Sequence, residues 1–585
     1  MNPRSEAVMS TVDVVLAEIV RNRLIAATDE MAKTLIRTAF NPLLYEVQDF
    51  GVSILSPTGE LWAETPGCTI FSRTLPDVVR AGLARWGTEL ADGDVLIAND
   101  PYETGTHISD TSVYMPVFFA GRLVAFCGTT AHWADIGGKN PGGWCPDTTD
   151  VYQEGICFRH QKLVEAGVRS VAVWDLIADN VRVPAVVKGD LEAQISACLQ
   201  GRERVQALCT KYGAAMLQQG MEYVIARTDR SMRDAVRALV DGEYGASIRL
   251  DSDGVNPNGD FRINLRVIVN GDRVRFSLLG SAASTLGPVN MPAPGTRGTL
   301  ASVLKGLLMP HDPANEGHAQ CMDYELPPGL IVSPVRPAPV DSYGYALECL
   351  TELMFRSLAG ILPDQCPAGG FQISGVTLSR SDARYGAPFV MFDVLDGGNG
   401  GQPAADGSTM MFVGNGDVPN IPVEVLETRF PVRVERLELE PRVAGAGTFR
   451  GGAGLRKEYL LLEGGMYTMF VTENSVDPTA AGCRGGSNGL PSYMEIEPGT
   501  DREQVFRARV AGIGPLPEGT RLRATTGGGG GWGPPRLRDT AAVLADVRNG
   551  FLNVEDAEQV YGVAIVPAGH GFRIDEARTA VLRGS

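Results

Sequence analysis

Histidine is scarce in this chain, and several features that would assign it to a broad class are missing. Only 6 of the 585 residues are histidine, and the 10 cysteines include no C-x-x-C pair. Scattered cysteines of this kind are typical of reduced, buried thiols in a cytosolic chain. No apolar run is long enough to cross a membrane, and the N-terminal stretch MNPRSEAVMS has no apolar signal core. We therefore expect a cytoplasmic protein with no membrane partner.

Basic residues are also in deficit. The chain has 52 Lys and Arg against 69 Asp and Glu, which gives a net charge of −17. Nucleic-acid binding needs clustered Lys and Arg at the phosphates, so we expect no nucleic-acid partner. The phosphate-binding pattern G-x-x-x-x-G-K-[ST] does not occur. The chain therefore offers no recognisable nucleotide site of its own.

A run of five glycines, 527–531, lies inside a formal G-x-G-x-x-G match that ends at Gly533. The dinucleotide fingerprint requires a helix directly after it, whereas this match is followed by Pro534 and Pro535. We reject a dinucleotide site for that reason. Consecutive glycines instead indicate backbone that lies against another chain segment or a ligand.

A repeated H-x-x-D pattern is the main candidate for chemistry. It occurs at His107 and Asp110 and again at His132 and Asp135. The segment between the pairs predicts two strands, VYMPVFF and LVAFCGTT, joined by a turn at Ala120-Gly121-Arg122. Such a hairpin would return the chain to its starting edge and place the two pairs side by side. Imidazole with carboxylate suits zinc, manganese or iron, although ordinary structural His–carboxylate pairs are the competing interpretation.

Two further carboxylates, Glu46 and Asp49, come just before a predicted strand at Phe50 to Leu55. Helix capping does not explain acids that enter a strand, so both are candidates for the same site. Two solvated loop acids are the alternative. The remaining histidines, which we expect to be surface or structural residues, are His160, His311, His318 and His570.

Hydrophobic periodicity predicts helices in the N-terminal half and strands near the C-terminus. A long amphipathic helix is predicted over Asp13 to Phe40, and Asp190 to Val240 reads as mostly helical. From Glu243 the pattern alternates, with a hairpin signal at Asn270-Gly271. The last third, from about Pro422, predicts strands such as VEVLE and PVRVERLELE, with a closing helix at Thr540 to Asn549.

These elements predict a multidomain α+β protein with several mixed or antiparallel sheets, helical layers and a β-rich C-terminal third. The length alone suggests about two to four domains. We place the boundaries at the changes of pattern. The predicted parts are a metal-site α+β domain at 1–184, a helical segment at 185–242, an α+β middle domain at 243–421 and a β-rich domain at 422–585.

Motifs along nearly the whole chain resemble those of the hydantoinase B/oxoprolinase family. That family includes B subunits of ATP-dependent hydantoinases and lactamases, part of 5-oxoprolinase, and the α subunit of acetone carboxylase. The matching stretches are Glu46-x-x-Asp49-Phe50, Asn99-Asp100-Pro101-Tyr102, Gly105-Thr106-His107, His132-x-x-Asp135-Ile136-Gly137-Gly138, Glu154-Gly155, Gly287-Pro288-x-Asn290, Glu427-x-x-Phe430-Pro431, Arg450-Gly451-Gly452-x-Gly454 and Tyr561-Gly562-Val563. Departures at Asn41-Pro42, Thr104 and Gly280-Ser281 concern the substrate pocket more than the metal site.

The resemblance implies a divalent-metal site on His107, Asp110 and His132, with Asp49 as a further ligand. It implies a hydantoinase A-type ATPase subunit that binds ATP and phosphorylates an amide or enol oxygen, within a hetero-oligomer. We expect this chain to be a hydrolase subunit that opens a cyclic amide of hydantoin, oxoproline or lactam type, with Glu46 or Asp135 as general base. The alternatives are the α subunit of an ATP-dependent ketone carboxylase, acting on a ketone plus bicarbonate, and a non-catalytic subunit that organises the ATPase.

Overall fold

The computed structural model describes residues 12–584, apart from 66, 257, 412–417 and 474–479. The stretch that argued against a signal core lies outside the described residues. The chain divides into two compact units. The first comprises Met1–Ser357, Ser379–Phe392 and Asn415–Ile421, and the second comprises Leu358–Leu378, Asp393–Gly414 and Pro422–Ser585. The four-part division predicted from the sequence stays a prediction.

An antiparallel seven-stranded sheet forms the centre of the first unit. Its strand order is β2-β1-β5-β4-β3-β6-β7. The strands are β1 (Phe50–Leu55), β2 (Leu61–Thr65), β3 (Val95–Ala98), β4 (Asp110–Phe119), β5 (Arg122–His132), β6 (Arg159–Glu165) and β7 (Val168–Arg169). The central strands are buried along most of their length, so the sheet is covered on both faces.

Helices cover the two faces of this sheet through separate apolar clusters. One face packs against α1 (Val14–Thr38), α6 (Pro184–Tyr212) and α7 (Ala214–Arg237), and the other against α3 (Thr69–Trp86). The first cluster includes Leu24, Met31, Val52, Ile54, Val113, Met115, Leu191 and Ile195. The second includes Leu75, Val79, Leu96, Tyr114 and Phe126. Alternate strand residues face opposite sides, and each fully buried aliphatic side chain contributes about 1.5–3 kcal/mol.

The first unit also holds a second, mixed sheet in the order β11-β10-β9-β8, in which only the β10–β11 pair is parallel. Its strands are β8 (Gly242–Arg249), β9 (Arg262–Asn270), β10 (Arg273–Ser277) and β11 (Met322–Glu325). The remaining helices of this part are α2 (Pro42–Tyr45), α4 (Pro101–Thr104), α5 (Val171–Asn180), α8 (Ala293–Leu308) and α9 (Gly344–Leu358).

The second unit is rich in strands. Two of its sheets have the orders β13-β12-β16-β19 and β14-β15-β20-β17-β18, and β21 pairs with β22. The strands are β12 (Ser374–Arg380), β13 (Phe389–Val394), β14 (Val432–Glu440), β15 (Gly454–Leu461), β16 (Met466–Thr472), β17 (Tyr493–Ile496), β18 (Gln504–Phe506), β19 (Val510–Leu516), β20 (Arg521–Thr525), β21 (Ile565–Ala568) and β22 (Gly571–Ile574). Residues 379–380 of β12 and 389–392 of β13 are counted with the first unit. The helices are α10 (Val423–Arg429), α11 (Thr540–Arg548), α12 (Val554–Gln559) and α13 (Glu576–Gly584).

The glycine run of the second unit lies against other backbone segments. The Gly445 N–H donates to the Gly529 carbonyl at 2.8 Å, and the Gly530 N–H donates to the Gly369 carbonyl at 2.8 Å. A Cβ placed on Gly529 would lie 1.8 Å from the Asn399 carbonyl oxygen, which no side chain can tolerate. The run therefore packs main chain on main chain, as one of the two sequence interpretations predicted.

The predicted fold class is confirmed, as is the change from helices to strands along the chain. One element was wrong: VEVLE was predicted as a strand but belongs to helix α10. Pro422 stands at its N-cap, with Glu424 in the first turn and Arg429 in the last, which are helix signals that outweigh a short alternation. Among the described helices, none combines the length and apolar character needed to cross a bilayer.

Candidate metal centre

The hairpin of β4 and β5 brings one residue of each H-x-x-D pair face to face. Asp110 is the first residue of β4, His132 is the last of β5, and the two are direct partners in the antiparallel register. The turn at the far end contains Ala120 and Gly121, both with positive φ, as a tight hairpin requires. His107 precedes β4 by three residues. The hairpin predicted from the sequence therefore places the three side chains together at one end of these two strands.

Three atoms that could bind a metal ion lie close together at this end of the hairpin. The Nε2 atom of His107 lies 2.9 Å from Oδ1 of Asp110 and 3.1 Å from Nδ1 of His132. The same Oδ1 lies 3.1 Å from Nδ1 of His132. The three side chains are at most 3% exposed. Two imidazole nitrogens and one carboxylate oxygen that face each other in this way form a donor set that fits a divalent cation such as zinc, manganese or iron.

Asp49 stands beside this trio. Its Oδ2 is 3.9 Å from Nδ1 of His132, and 19% of its side chain is exposed. Burial raises the pKa of Asp49 to about 6, against the lowering effect of His132 and of a hydrogen bond from the Cys68 thiol. The backbone N–H of His132 donates to the Asp49 carbonyl at 3.2 Å, whereas the Asp49 carboxylate makes no hydrogen bond to the trio within the described residues. Asp49 is thus placed where a fourth ligand could complete the set.

The electrostatics of the trio keep Asp110 ionised. Burial would raise its pKa, but the charges and hydrogen bonds of His107 and His132 hold it well below the ordinary value. Burial alone would lower the pKa of His107, whereas Asp110 and then Asp341 outweigh it and raise the pKa to about 9. Cation binding requires an ionised carboxylate and neutral imidazoles, so the lowered pKa of Asp110 favours it, whereas His107 would have to lose a proton.

The distal nitrogen of His107 and the second oxygen of Asp110 are held by a segment that sequence reasoning missed. Nδ1 of His107 is 2.8 Å from the carbonyl oxygen of Asp341. The Tyr343 hydroxyl donates to Oδ2 of Asp110 at 3.1 Å. Both residues lie more than 200 positions along the chain from their partners, so no local pattern reveals them.

Aromatic rings line the same site. The Trp144 ring contacts both imidazoles, with centroids 5.5 Å from His107 and 6.0 Å from His132. Phe392 stacks on Trp144 at 4.8 Å. The Trp144 indole N–H is buried and has no hydrogen-bond partner among the described residues. The polar trio therefore borders an apolar wall that carries one free donor.

The two carboxylates predicted as catalytic residues differ in their surroundings. Asp135 is fully buried, and Arg182 donates to both of its oxygens, through Nη1 at 2.9 Å and its backbone N–H at 2.6 Å. Glu46 ends α2 and is partly exposed, and within the described part of the chain its carboxylate makes no hydrogen bond or ion pair. Neither role is tested by this geometry, and both stay predictions.

The other buried histidines have partners away from the trio. His160 binds the Tyr114 hydroxyl through Nδ1 and Glu103 through Nε2. Nδ1 of His318 lies within hydrogen-bonding distance of Asn315, and its Nε2 lies 3.1 Å from Asp312. Among the described residues, only His107, Asp110 and His132 form a potential metal-ligand group.

The fold and the trio define a class of α+β proteins with a buried candidate centre of two histidines and one carboxylate. A family model described as hydantoinase B/oxoprolinase matches residues 13–535. The chain belongs to the hydantoinase B/oxoprolinase family, and the resemblance drawn from its motifs is confirmed.

Individual relatives agree with this assignment. The chain is 31% identical over 591 residues to the caprolactamase subunit beta of Pseudomonas jessenii, a match that spans 99% of this chain and all of that one. A solved structure of ATP-dependent caprolactamase from the same organism superposes with a TM-score of 0.89 at 29% identity, covering 98% of this chain and 100% of that chain. The prediction that the chain is an enzyme of the ATP-dependent hydantoinase and oxoprolinase type is confirmed.

A second solved structure shares the fold at lower identity. The nucleotide-free structure of acetone carboxylase superposes with a TM-score of 0.88 at 17% identity, over 97% of this chain and 82% of that chain. At this identity the match shows a common fold and nothing about a common reaction.

Proposed function

We propose that this chain is the metal-bearing B subunit of an ATP-dependent amidohydrolase that opens a cyclic amide of hydantoin, oxoproline or lactam type. The observation that carries the proposal is the convergence of His107, Asp110 and His132 on one point in a chain without a recognisable nucleotide cradle. The names of its relatives support the substrate class. An A-type ATPase subunit would bind ATP, and the two chains would form a hetero-oligomer.

The division of labour follows from amide chemistry. An unactivated amide is a poor electrophile, so the partner would transfer the terminal phosphoryl group of ATP to the amide oxygen and release ADP. Water would then add its oxygen to the activated carbon and give a proton to a base on this chain. The C–N bond breaks as the nitrogen takes up a proton, which leaves an acyl phosphate. A second water would then add its oxygen to the acyl carbon and lose its protons to base and solvent, and phosphate would leave with the former amide oxygen. The products are an amine, a carboxylate and phosphate.

The side chains of the candidate centre have separable roles in this scheme. His107, Asp110 and His132, with Asp49 as a fourth ligand, would hold the cation. When bound, a divalent cation supplies Lewis acidity to a substrate oxygen. We assign the general base to Glu46, because the alternative candidate Asp135 is engaged by Arg182 on both oxygens.

The aromatic wall would receive the substrate. The stacked Trp144 and Phe392 rings offer an apolar surface beside the trio, where the ring of a cyclic amide could lie. The unpaired Trp144 N–H is a donor for a substrate oxygen, because a buried donor without a partner is unfavourable until a ligand supplies one.

A reconstituted reaction tests the proposal. The purified chain, with an A-type partner, ATP and a cyclic amide, should open the ring, and His107→Ala should abolish both bound metal and activity. His311→Ala is the matched control, because His311 is exposed and we expect both properties to remain. Metal is measured by elemental analysis and ring opening by chromatography. Wild-type activity in His107→Ala would contradict the proposal.

The same assay separates the two alternatives. A ketone carboxylase would require bicarbonate and consume the ketone, and the shared acetone carboxylase fold is the reason to include that arm. The chain covers all of the caprolactamase chain but only 82% of the acetone carboxylase chain, which favours the hydrolase. A subunit that only organises the ATPase would contain no metal and would tolerate His107→Ala.

A further inference from the structure

A segment far from the hairpin in sequence touches two members of the trio. Residues 336–343, here called the strap, present the Asp341 carbonyl to Nδ1 of His107 at 2.8 Å and the Tyr343 hydroxyl to Oδ2 of Asp110 at 3.1 Å. Both contacts are fully buried. The strap therefore contacts the atoms of His107 and Asp110 that do not face the trio's centre.

The contact to His107 determines which ring nitrogen carries the proton. A carbonyl oxygen can only accept, so Nδ1 of His107 must be the N–H that donates to Asp341. In the neutral imidazole this leaves the Nε2 lone pair, which faces Asp110 and His132, available for a cation. Such outer contacts orient metal-binding imidazoles, and their loss typically weakens metal affinity about 10- to 100-fold.

One carboxylate holds the strap at this position. Oε1 of Glu154 accepts the backbone N–H of Val340 at 2.8 Å and of Asp341 at 3.0 Å. The Thr148 hydroxyl also donates to Oε1, at 3.0 Å. Glu154 is 1% exposed, and its Oε2 has no hydrogen-bond partner among the described residues. Oε1 of Glu154 thus holds the backbone N–H of the residue whose carbonyl contacts His107. Two further contacts act at this residue, since the Ser342 N–H donates to the Pro288 carbonyl at 2.9 Å and the Cys145 N–H donates to Oδ2 of Asp341 at 2.7 Å.

The Asn99-Asp100-Pro101-Tyr102 motif holds the other end of the strap. The Tyr102 hydroxyl donates to the Ala338 carbonyl at 2.5 Å, and Asp100 pairs with Arg336 at 2.8 Å. These residues do not belong to the trio. The proposed function assigns no role to this motif. Its contacts indicate that it supports the strap.

We propose that Glu154 is a positioning residue for the metal ligand His107, acting through Asp341, whose N–H it accepts and whose carbonyl contacts His107. The inference rests on the metal-binding role in the proposed function. It assigns to the Glu154-Gly155 motif a task at the metal, although Glu154 touches neither ligand nor cation. Only the acceptor oxygen is required, so the negative charge of Glu154 is dispensable.

Two substitutions separate the oxygen from the charge. Glu154→Gln keeps an acceptor oxygen for the two N–H groups, whereas Glu154→Leu removes it. Burial, and after it the charge of Asp341, raise the pKa of Glu154 to about 8, so a neutral amide suits this environment. We expect Glu154→Gln to bind zinc as the wild type does, and Glu154→Leu to bind about 10- to 100-fold more weakly.

The measurement is zinc affinity by chelator competition, together with the absorption spectrum of the cobalt-substituted protein. The cobalt spectrum reports ligand geometry, so it should shift in Glu154→Leu and stay unchanged in Glu154→Gln. Asp94→Leu is the matched control. Asp94 is an equally buried carboxylate that accepts hydrogen bonds from the N–H groups of Ala91 and Ala166. It lies at the end of β3 that is away from the trio. Its loss should lower stability and leave zinc affinity unchanged.

The outcomes are distinct. A folded Glu154→Leu with zinc affinity within about twofold of the wild type would overturn the inference while leaving the proposed function intact. A Glu154→Gln variant as weak as Glu154→Leu would also overturn it, because the charge would then matter. If Glu154→Leu does not fold, Tyr102→Phe loosens the same strap, and an unchanged zinc affinity there would refute the inference. A wild-type chain that takes up none of zinc, manganese and iron would overturn both proposals.

Discussion

At the residue scale, the site consists of a local part that sequence reasoning could find and a distant part that it could not. His107, Asp110 and His132 share one hairpin, so spacing and turn chemistry were enough to bring them together. Asp341 and Tyr343 reach the same point from over 230 positions away. No periodicity encodes a contact of that range, because it depends on how a loop outside the sheet is folded back.

The protonation of a single buried acid also makes the stability of the fold depend on pH. Asp190 in α6 is fully buried, and one oxygen accepts the N–H groups of Phe40 and Asn41 at 2.7 and 3.1 Å. Burial outweighs these hydrogen bonds and raises the pKa of Asp190 from 3.8 to about 7. Between those pH values the folded chain holds a proton that the unfolded chain has released, so rising pH favours unfolding.

We therefore predict that Asp190 reduces the free energy of unfolding as the pH rises from about 4 to about 7. Asp190→Asn keeps an acceptor oxygen and cannot titrate, so it should gain stability relative to the wild type over this range. Urea unfolding of both proteins at several pH values measures the difference. Asp175→Asn, an exposed acid on α5, serves as the control and should show no such trend. Parallel curves for wild type and Asp190→Asn would contradict the prediction.

At the element scale, long periodic segments were predicted well and short ones less so. The long helix α1 and the strand β1 fall where the pattern placed them. Helix α10 was missed because a few alternating residues fit a strand and a short helix equally well. The glycine run was predicted to lie against another chain segment or a ligand, and the sequence could not decide between them or name the partner, since main-chain contacts leave no side-chain pattern to read.

The glycine packing gives a sharp stability prediction. Gly529→Ala should lower the free energy of unfolding by more than about 3 kcal/mol, or prevent folding, because its Cβ would overlap the Asn399 carbonyl. Gly571→Ala is the matched control, since a Cβ there meets nothing within 4 Å. It should change stability by less than about 0.5 kcal/mol. Thermal and urea unfolding of the two variants provide the measurement, and equal losses would refute the packing argument.

At the scale of the whole molecule, the proposed metal site should show in the stability of the intact chain. A ligand that binds only the folded state at about 100 times its dissociation constant stabilises by about 2.7 kcal/mol. We predict that zinc raises the unfolding temperature of the wild-type chain. The same zinc concentration should produce little shift in Asp110→Asn, which loses the ionised oxygen shared by both histidines.

Calcium provides the cation control for this experiment. It prefers six to eight oxygen ligands, whereas the trio offers two nitrogens and one carboxylate. Calorimetry with each cation measures the shift directly. An equal response to calcium, or an undiminished zinc response in Asp110→Asn, would place the stabilising ion elsewhere on the molecule.

The backbone packing around Gly529 has a consequence for the gene as well. All glycine codons share their first two bases, so any change at either of those bases replaces glycine with a residue that carries a side chain or ends translation. Where a methyl group would already lie 1.8 Å from a carbonyl oxygen, none of these replacements fits. In a library of random single-base changes, this stretch should therefore vary only at third codon positions among active clones.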